Sequence, residues 1–426
     1  MVGSVPGRAI NVALAAIGVR STQPMPLNTF YLTPEVPPAE PGTVIKTEPA
    51  KFYLDPLRLT EAPATVTRMM FSSTDRLGAP IALTGTVLQP LSRRQKGTRG
   101  LVAFAVGTQG MAAKCAPSRQ MAVGREYESV FIARLLGHGF NVVVPDYQGH
   151  GAASPVHTYM SRIVQGQVVL DALRATQRLG LDEIEPDGPV ALTGYSQGGA
   201  ACASAAEQWE TYAPELNIIS AVAGATPADL YRTARFLDGG PYFAFLAYTL
   251  AGIADDYGID PSTVLNDRGV ELLAKVKGEC LFESLRSYAF TRLSQLTSDG
   301  RGIADFLADP RFESILRGQR LGEDGRWPKM PVMLVHSKYD DVVPYECSRA
   351  LAERWVGQGA RVRLVTGRVP GHIPAMVTAN RAAMGFLEAR FDGKPMRANT
   401  RRYLQTLAEP DDQADLPSDS ASLGQV

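Results

Sequence analysis

A serine set among glycines is the feature of the sequence that most strongly indicates chemistry. Ser196 lies in "ALTGYSQGGAACAS", within three positions of Gly194, Gly198 and Gly199. An apolar run typical of a buried strand precedes the serine and a helical pattern follows it. In that context G-x-S-x-G is a nucleophile elbow, in which a sharp turn lifts the serine oxygen above the sheet edge and the glycines avoid collisions. The alternative is a glycine-rich turn with an incidental serine.

A serine hydroxyl becomes a useful nucleophile only when a base takes its proton and an acid orients that base. In the fold that carries a nucleophile elbow, the acid and then the histidine follow the serine along the chain. Three of the five histidines precede Ser196, and His336 lies within or at the end of a predicted strand. His372, in "TGRVPGHIPAM", follows the last predicted strand and precedes the last predicted helix, so it is the candidate base.

Two neighbouring carboxylates compete for the role of the acid. Asp340 and Asp341 follow the predicted strand "PVMLVHS" in "KYDDVVPY", where a side chain reaches the active edge of the sheet. Adjacent residues point to different sides, and the residue pattern leaves both open.

Stabilising an oxyanion requires two hydrogen-bond donors. The backbone N–H of the residue after the nucleophile, Gln197, is one, and the N-terminus of the helix that begins there favours negative charge. The second usually comes from the loop after an early strand. "GLVAFAVGTQGM" supplies such a loop, with Gln109 or Thr108 as candidates.

The surrounding elements predict a mostly parallel α/β sheet flanked by helices. Short apolar runs alternate with helical patterns, a hairpin is predicted at 65–90, and the strand rhythm stops for about a hundred residues before it resumes. One sheet with a helical insertion explains this pattern. The predicted divisions are an N-terminal segment with a proline-rich extended arm (1–65), a first part of the core (66–226), a helical lid or cap (227–327), a second part of the core (328–395) and a polar, disordered tail (396–426).

Composition narrows the possible functions. Lys+Arg and Asp+Glu both number 43, so the chain lacks the basic surface expected of a nucleic-acid-binding protein. An apolar stretch from Ala9 to Val19 follows Arg8 and has the length of a signal-peptide core, although no clear cleavage site follows it. Cys202 and Cys347 fall in apolar helical patterns and are predicted to be buried thiols.

The chain resembles the secretory lipases, a family with the α/β-hydrolase fold. The resemblance runs from about residue 30 to 395 and depends on "FYLTPEVPPAEPGTVIKTEP", "SSTDRLGAPIALTGTVLQP", "GTQGMAAKCAPSR", "VVPDYQGHG", "TGYSQGGAA", "YDDVVP" and "PGH". It implies a triad of Ser196, Asp340 and His372, a helical lid, and hydrolysis of carboxylic esters. It also implies a Cys115–Cys280 disulfide, and a disulfide requires an oxidising compartment.

The chain departs in two places from the pattern of the yeast members of this family, and both lie near the candidate site. The yeast-type enzyme has an aspartate where Gln109 stands, and it has a second disulfide beside the catalytic histidine, whereas His372 has no nearby cysteine. The first departure concerns the second oxyanion donor.

These observations together predict a secreted serine ester hydrolase, a lipase or carboxylesterase, that acts on lipid or other hydrophobic esters. It would need no metal or cofactor, would work where lipid meets water, and shows no sign of a nucleic-acid or stable protein partner. Two alternatives remain: an acyltransferase that uses the same triad, and a non-catalytic binding protein of the same fold.

The insertion carries a strongly apolar segment, "FLDGGPYFAFLAYTLAGIADD", residues 236–256. A helix that is apolar nearly all round must be buried or face an apolar ligand. We expect it to cover Ser196 and line an acyl-chain pocket; the alternative is plain core packing. On the first interpretation, Phe243→Asp or Phe245→Asp would lower activity without unfolding the protein.

Overall fold

The computed structural model describes residues 28–91, 100–152 and 156–396. The predicted signal region and nearly all of the predicted disordered tail lie outside these residues. The described chain is built around a nine-stranded sheet with the order β1-β2-β3-β5-β4-β6-β7-β8-β9. The strands are β1 (Val44–Pro49), β2 (Ala64–Thr74), β3 (Pro80–Pro90), β4 (Leu101–Ala105), β5 (Asn141–Pro145), β6 (Val190–Tyr195), β7 (Ile218–Gly224), β8 (Val332–Ser337) and β9 (Val362–Gly367).

The sheet is antiparallel from β1 to β5 and parallel from β5 to β9. Strands β4, β5, β6 and β8 are buried along their whole length. This burial explains their continuous apolar runs, because a parallel sheet is covered on both faces. The mixed α/β class predicted from the sequence is confirmed.

Helices cover both faces of the sheet. On one face the helices at 162–178 and 197–212 pack against each other, and Trp355 of the helix at 345–357 donates its indole N–H to Glu207 at 2.8 Å. On the other face the helices at 129–137 and 372–391 lie together. The helices are α1 (Pro117–Ala122), α2 (Ser129–Gly137), α3 (Arg162–Arg178), α4 (Gln197–Tyr212), α5 (Leu230–Leu237), α6 (Phe243–Tyr257), α7 (Asp267–Val276), α8 (Leu281–Ser287), α9 (Ile303–Leu307), α10 (Pro310–Gln319), α11 (Tyr345–Gly357) and α12 (His372–Phe391). None of them is long and apolar enough to cross a membrane, among the residues that the structure describes.

The predicted hairpin is confirmed, and part of the segment before it joins the sheet. β2 and β3 pair in an unbroken antiparallel register from Ala64↔Pro90 to Thr74↔Pro80. Within the predicted extended arm, Val44–Pro49 forms an edge strand on β2, which the sequence patterns did not identify as a strand. Prolines surround this strand and Pro49 ends it, a composition that an edge strand tolerates because one side of its backbone forms no ladder.

Between β7 and β8 the described chain is helical, and we call residues 227–327 the cap. Its central helix, α6, carries the apolar segment noted in the sequence. The helix passes so close to the core that a Cβ on Gly252 would lie 2.5 Å from the Tyr159 carbonyl oxygen. Another face of α6 lines an apolar cavity of about 60 Å³ inside the cap, with Leu246, Leu250, Ile253, Phe306, Phe312 and Leu316 among its walls.

The cap is joined covalently to the core. Cys115 and Cys280 form a disulfide, as the family resemblance implied, and Cys202 and Cys347 are buried free thiols, as predicted. Backbone hydrogen bonds reinforce the junction. The N–H of Leu281 donates to the Gln109 carbonyl at 2.9 Å, and the N–H of Met111 donates to the Glu279 carbonyl at 3.0 Å. The base of α8 is therefore paired with the loop that follows β4.

Candidate active site

Ser196 occupies a strained turn between β6 and α4. Its backbone has φ 58° and ψ −120°, a conformation that residues other than glycine rarely adopt. The N–H of Ser196 donates to the Gly224 carbonyl at 2.9 Å, which fixes the turn against the end of β7. Strain of this kind persists only where surrounding contacts enforce it, and it clusters at functional sites.

The glycines around Ser196 are explained by close backbone approach. A Cβ on Gly198 would lie 1.9 Å from the Ala105 carbonyl oxygen at the end of β4, and one on Gly194 would lie 2.5 Å from the backbone of Gly198. At Gly199 the Gly224 carbonyl oxygen would be 2.2 Å away. Contacts this short with backbone atoms leave no room for a methyl group, so the turn requires glycine at all three positions.

His372 and Asp340 form a hydrogen-bonded pair at the carboxyl edge of the parallel strands. The imidazole Nδ1 lies 2.7 Å from Asp340 Oδ2, and both side chains are almost completely buried. Because a carboxylate only accepts hydrogen bonds, this contact places the proton of the neutral imidazole on Nδ1. Nε2 is then the basic nitrogen and carries a free lone pair.

Three further donors hold the Asp340 carboxylate. Its Oδ1 accepts the backbone N–H groups of Val342 and Val343, each at 2.9 Å, and His336 Nε2 lies 3.4 Å from Oδ2. His336 Nε2 also faces the Val343 carbonyl at 3.1 Å, so this nitrogen carries the proton. Burial alone would raise the pKa of Asp340, but the two histidines outweigh it and hold that pKa well below its usual range. The sequence placed His336 in the strand without showing this contact.

Asp341, the rival acid in the sequence, has a different set of contacts. Its Oδ1 accepts the backbone N–H of His372 at 2.8 Å, and its Oδ2 accepts the hydroxyl of Tyr242 in the cap at 3.0 Å. The structure therefore places one aspartate against the imidazole ring and the other against the backbone of the same histidine.

Tyr195 connects the histidine with the turn that carries Ser196. Its hydroxyl donates to the His372 carbonyl at 3.0 Å, and the two ring centroids are 4.9 Å apart. Tyr195 is the last residue of β6 and immediately precedes Ser196. The histidine–aspartate pair and the serine turn thus meet at one edge of the sheet, as expected for residues at the carboxyl ends of parallel strands.

The two candidate oxyanion donors are backbone N–H groups. Gln197 is the first residue of α4, and neither its N–H nor that of Gln109 donates a hydrogen bond within the described residues. The side-chain amide of Gln109 is already engaged, since it donates to Glu126 at 3.0 Å and to the Gly107 carbonyl at 3.4 Å. The other candidate, Thr108, has its hydroxyl 2.7 Å from that of Tyr159. This geometry leaves the backbone of Gln109, rather than its side chain, available to a ligand.

Two buried glutamates support the loop after β4, and no sequence signal identified them. Glu126 Oε1 accepts from the Gln109 side chain, and Glu128 Oε2 accepts the N–H of Gly107 at 2.6 Å. Burial raises the pKa of Glu126 to about 7, against the lowering effect of its hydrogen bonds. Burial, followed by the neighbouring charge of Glu126, raises the pKa of Glu128 well above its usual range. Both carboxyls therefore favour the protonated form more than an exposed glutamate does.

The histidines that precede the serine lie outside this pair. His138 contacts Glu388 at 2.8 Å, and His150 Nε2 lies 2.8 Å from the Gly110 carbonyl, with the ring of His157 packed on it. His150 therefore buttresses the loop that follows Gln109. Within the described ranges no group of three or more histidine, cysteine or acidic side chains is arranged to hold a metal ion.

A nine-stranded, largely parallel sheet with a strained serine at a strand-to-helix turn and a histidine–aspartate pair at the same edge defines an α/β-hydrolase. Comparison with known proteins agrees. The structure superposes on Candida antarctica lipase A in its closed state with a TM-score of 0.76, covering 88% of each chain at 23% identity. At that identity the likeness establishes the fold.

The chain belongs to the secretory lipase family, whose model matches residues 116–399. It is 32% identical over 297 residues to the secreted triacylglycerol lipase LIP7 of Malassezia globosa, a span of 66% of this chain and 62% of that protein. It is also 28% identical over 381 residues to a protein of Mycobacterium tuberculosis named probable inactive lipase MT1628, covering 86% of this chain and 82% of that one. The chain thus matches less than two thirds of the length of LIP7.

Proposed function

We propose that this protein is a serine ester hydrolase that cleaves lipid or other hydrophobic carboxylic esters through an acyl-enzyme on Ser196. The observation that carries the proposal is the Nδ1 contact between His372 and Asp340, because it leaves Nε2 as a base at the edge where Ser196 lies. Family membership supports the same reaction class.

Five residues take part in the proposed reaction. His372 Nε2 accepts the Ser196 proton as the serine oxygen attacks the acyl carbonyl, and Asp340 stabilises the resulting imidazolium. The backbone N–H groups of Gln197 and Gln109 stabilise the oxyanion. The imidazolium then protonates the leaving alcohol, and water, activated by the same histidine, releases the acid.

The cap supplies a place for an apolar acyl group. Its cavity of about 60 Å³ has almost entirely apolar walls, although Ser196, Asp340 and His372 are not among them. Each buried methylene contributes about 0.8 kcal/mol, so we expect acyl chains of about eight carbons or more to bind more tightly than acetyl, although a cavity of about 60 Å³ holds only part of such a chain. Work at a lipid–water interface outside the cell is consistent with relatives that are named secreted lipases and with the Cys115–Cys280 disulfide.

The test is hydrolysis of p-nitrophenyl esters from acetyl to palmitoyl, together with an emulsified triglyceride. We expect activity that rises with chain length, and covalent labelling of Ser196 by a serine-directed phosphonate. Ser196→Ala should abolish both while circular dichroism stays unchanged. Hydrolysis that survives in Ser196→Ala would refute the proposed nucleophile.

One relative gives weight to a second candidate, a non-catalytic protein of the same fold, since MT1628 is named a probable inactive lipase. A wild-type chain that neither turns over any ester nor reacts with the phosphonate would favour that candidate. Transfer of the acyl group to an added alcohol in preference to water would instead indicate an acyltransferase.

A further inference from the structure

Asp341 caps the helix that begins at the candidate base. The first N–H groups of a helix have no partner within the helix, and a side chain at the residue before it usually satisfies one of them. In α12 that residue is Gly371, which has no side chain. Asp341 replaces it from a neighbouring loop, because its Oδ1 accepts the N–H of His372 at 2.8 Å.

The second oxygen of the same carboxylate is bound by the cap. Tyr242 immediately precedes α6, and its hydroxyl donates to Asp341 Oδ2 at 3.0 Å. Its ring centroid lies 6.3 Å from that of Phe245, one turn into the helix. A movement of this end of α6 therefore acts directly on the group that holds the His372 backbone.

Other contacts fix His372 from the core side. The N–H of Gly371 donates to the Tyr339 carbonyl at 2.9 Å, and the Tyr195 hydroxyl donates to the His372 carbonyl at 3.0 Å. These bonds come from the sheet edge and its loops. The Asp341 contact differs from them because its second partner belongs to the cap.

The opposite end of α6 is also anchored to the core. Asp256 accepts the Ser161 hydroxyl at 2.7 Å and pairs with Arg76 at 3.5 Å, and Asp255 accepts the N–H of His157 at 3.4 Å. A displacement of the cap about this anchored end would move Tyr242 most, since Tyr242 lies at the far end of the helix.

We propose that Tyr242 and Asp341 are positioning residues. They make the position of His372 depend on whether the Tyr242 end of α6 is docked against Asp341. This inference rests on the proposed function, because it concerns the base of that reaction. When Tyr242 is seated, both oxygens of Asp341 are occupied and the first turn of α12 is fixed. When it is not, Asp341 loses one of its hydrogen bonds and holds the first turn of α12, where His372 lies, less firmly.

The test is a double-mutant cycle with Tyr242→Phe and Asp341→Asn, measured on p-nitrophenyl acetate so that acyl-chain binding in the cap does not contribute. Loss of a hydrogen bond to a charged group should lower kcat by about three- to tenfold in each single variant, with KM within about twofold of wild type. The double variant should be no slower than Asp341→Asn alone, because both changes break one chain of contacts. Tyr231→Phe is the matched control, since that cap tyrosine has no hydroxyl hydrogen bond among the described residues.

Several results would overturn the inference. Additive losses in the double variant, a change confined to KM, or an increase in kcat for Tyr242→Phe would each do so, and the last would indicate a latch that holds the cap shut. If Asp341→Asn does not fold, Tyr242→Phe against Tyr231→Phe decides, and equal kcat values overturn the inference. A wild-type chain without esterase activity or phosphonate labelling overturns the proposed function as well.

Discussion

Removing the Cys115–Cys280 disulfide should cost a large part of the stability of the protein. The bridge closes a loop of 165 residues, for which the chain-entropy relation gives about 5 kcal/mol at room temperature. The bridge acts mainly by restricting the unfolded chain, and the backbone hydrogen bonds between 109–111 and 279–281 remain in the variant. We therefore expect Cys115→Ala with Cys280→Ala to fold correctly but to unfold at a much lower urea concentration.

The assay is urea unfolding followed by far- and near-ultraviolet circular dichroism, which also tests whether core and cap unfold together. The unfolded variant is more expanded, so its dependence on urea should be steeper than that of the wild type. Cys202→Ala is the control, because it removes a buried sulfur that belongs to no bridge. Truncating a small buried side chain in this way costs about 1 kcal/mol.

The reasoning fails if the double variant loses no more stability than Cys202→Ala, or if its urea slope equals that of the wild type. Either result would mean that the cross-link does not restrict the unfolded chain as a loop of this length should. Early loss of the near-ultraviolet signal alone would instead show that the cap separates before the core unfolds.

Three further predictions concern the site and the cap. Asp340→Asn should lower kcat/KM on a soluble ester by about 10⁴-fold, far more than Asp341→Asn, since the Asp340 carboxylate is hydrogen-bonded to the imidazole Nδ1; a larger loss in the Asp341 variant would reverse the assignment. Glu126 has a pKa raised from 4.5 to about 7, so its contribution to stability is present below pH 4.5 and lost as the pH rises through 7. Glu126→Gln should remove that loss. The free energy of unfolding of the variant minus that of the wild type, measured by urea unfolding, should be about 3 kcal/mol larger at pH 8 than at pH 4.5. Equal pH dependence in both proteins would contradict this. Phe243 is fully buried, so Phe243→Asp should unfold the cap rather than merely lower activity, contrary to the sequence-based expectation; a thermal melt equal to wild type would refute this.

Local patterns were sufficient for β2 to β9 and for the serine turn. Each central strand is an apolar run that a fully covered sheet requires, and the glycines beside Ser196 mark a backbone approach that excludes Cβ atoms. The last helix was predicted over "TANRAAMGFLEARF", from Thr378, whereas α12 begins six residues earlier, and Pro374 lies in its first turn. In the first turn of a helix the missing N–H of proline costs nothing, and the helix begins at His372.

The sequence by itself determined the family and the fold class, because short motifs and apolar runs along the chain carry both. It also predicted the order of serine, acid and histidine. The tertiary structure decided which aspartate faces the imidazole, that the Gln109 amide is occupied by Glu126, and that Tyr242 reaches Asp341 across 99 positions. The path of the loop after β8 decides in which direction the adjacent side chains of Asp340 and Asp341 point. That path is fixed by contacts between segments far apart in the chain, which no local pattern records.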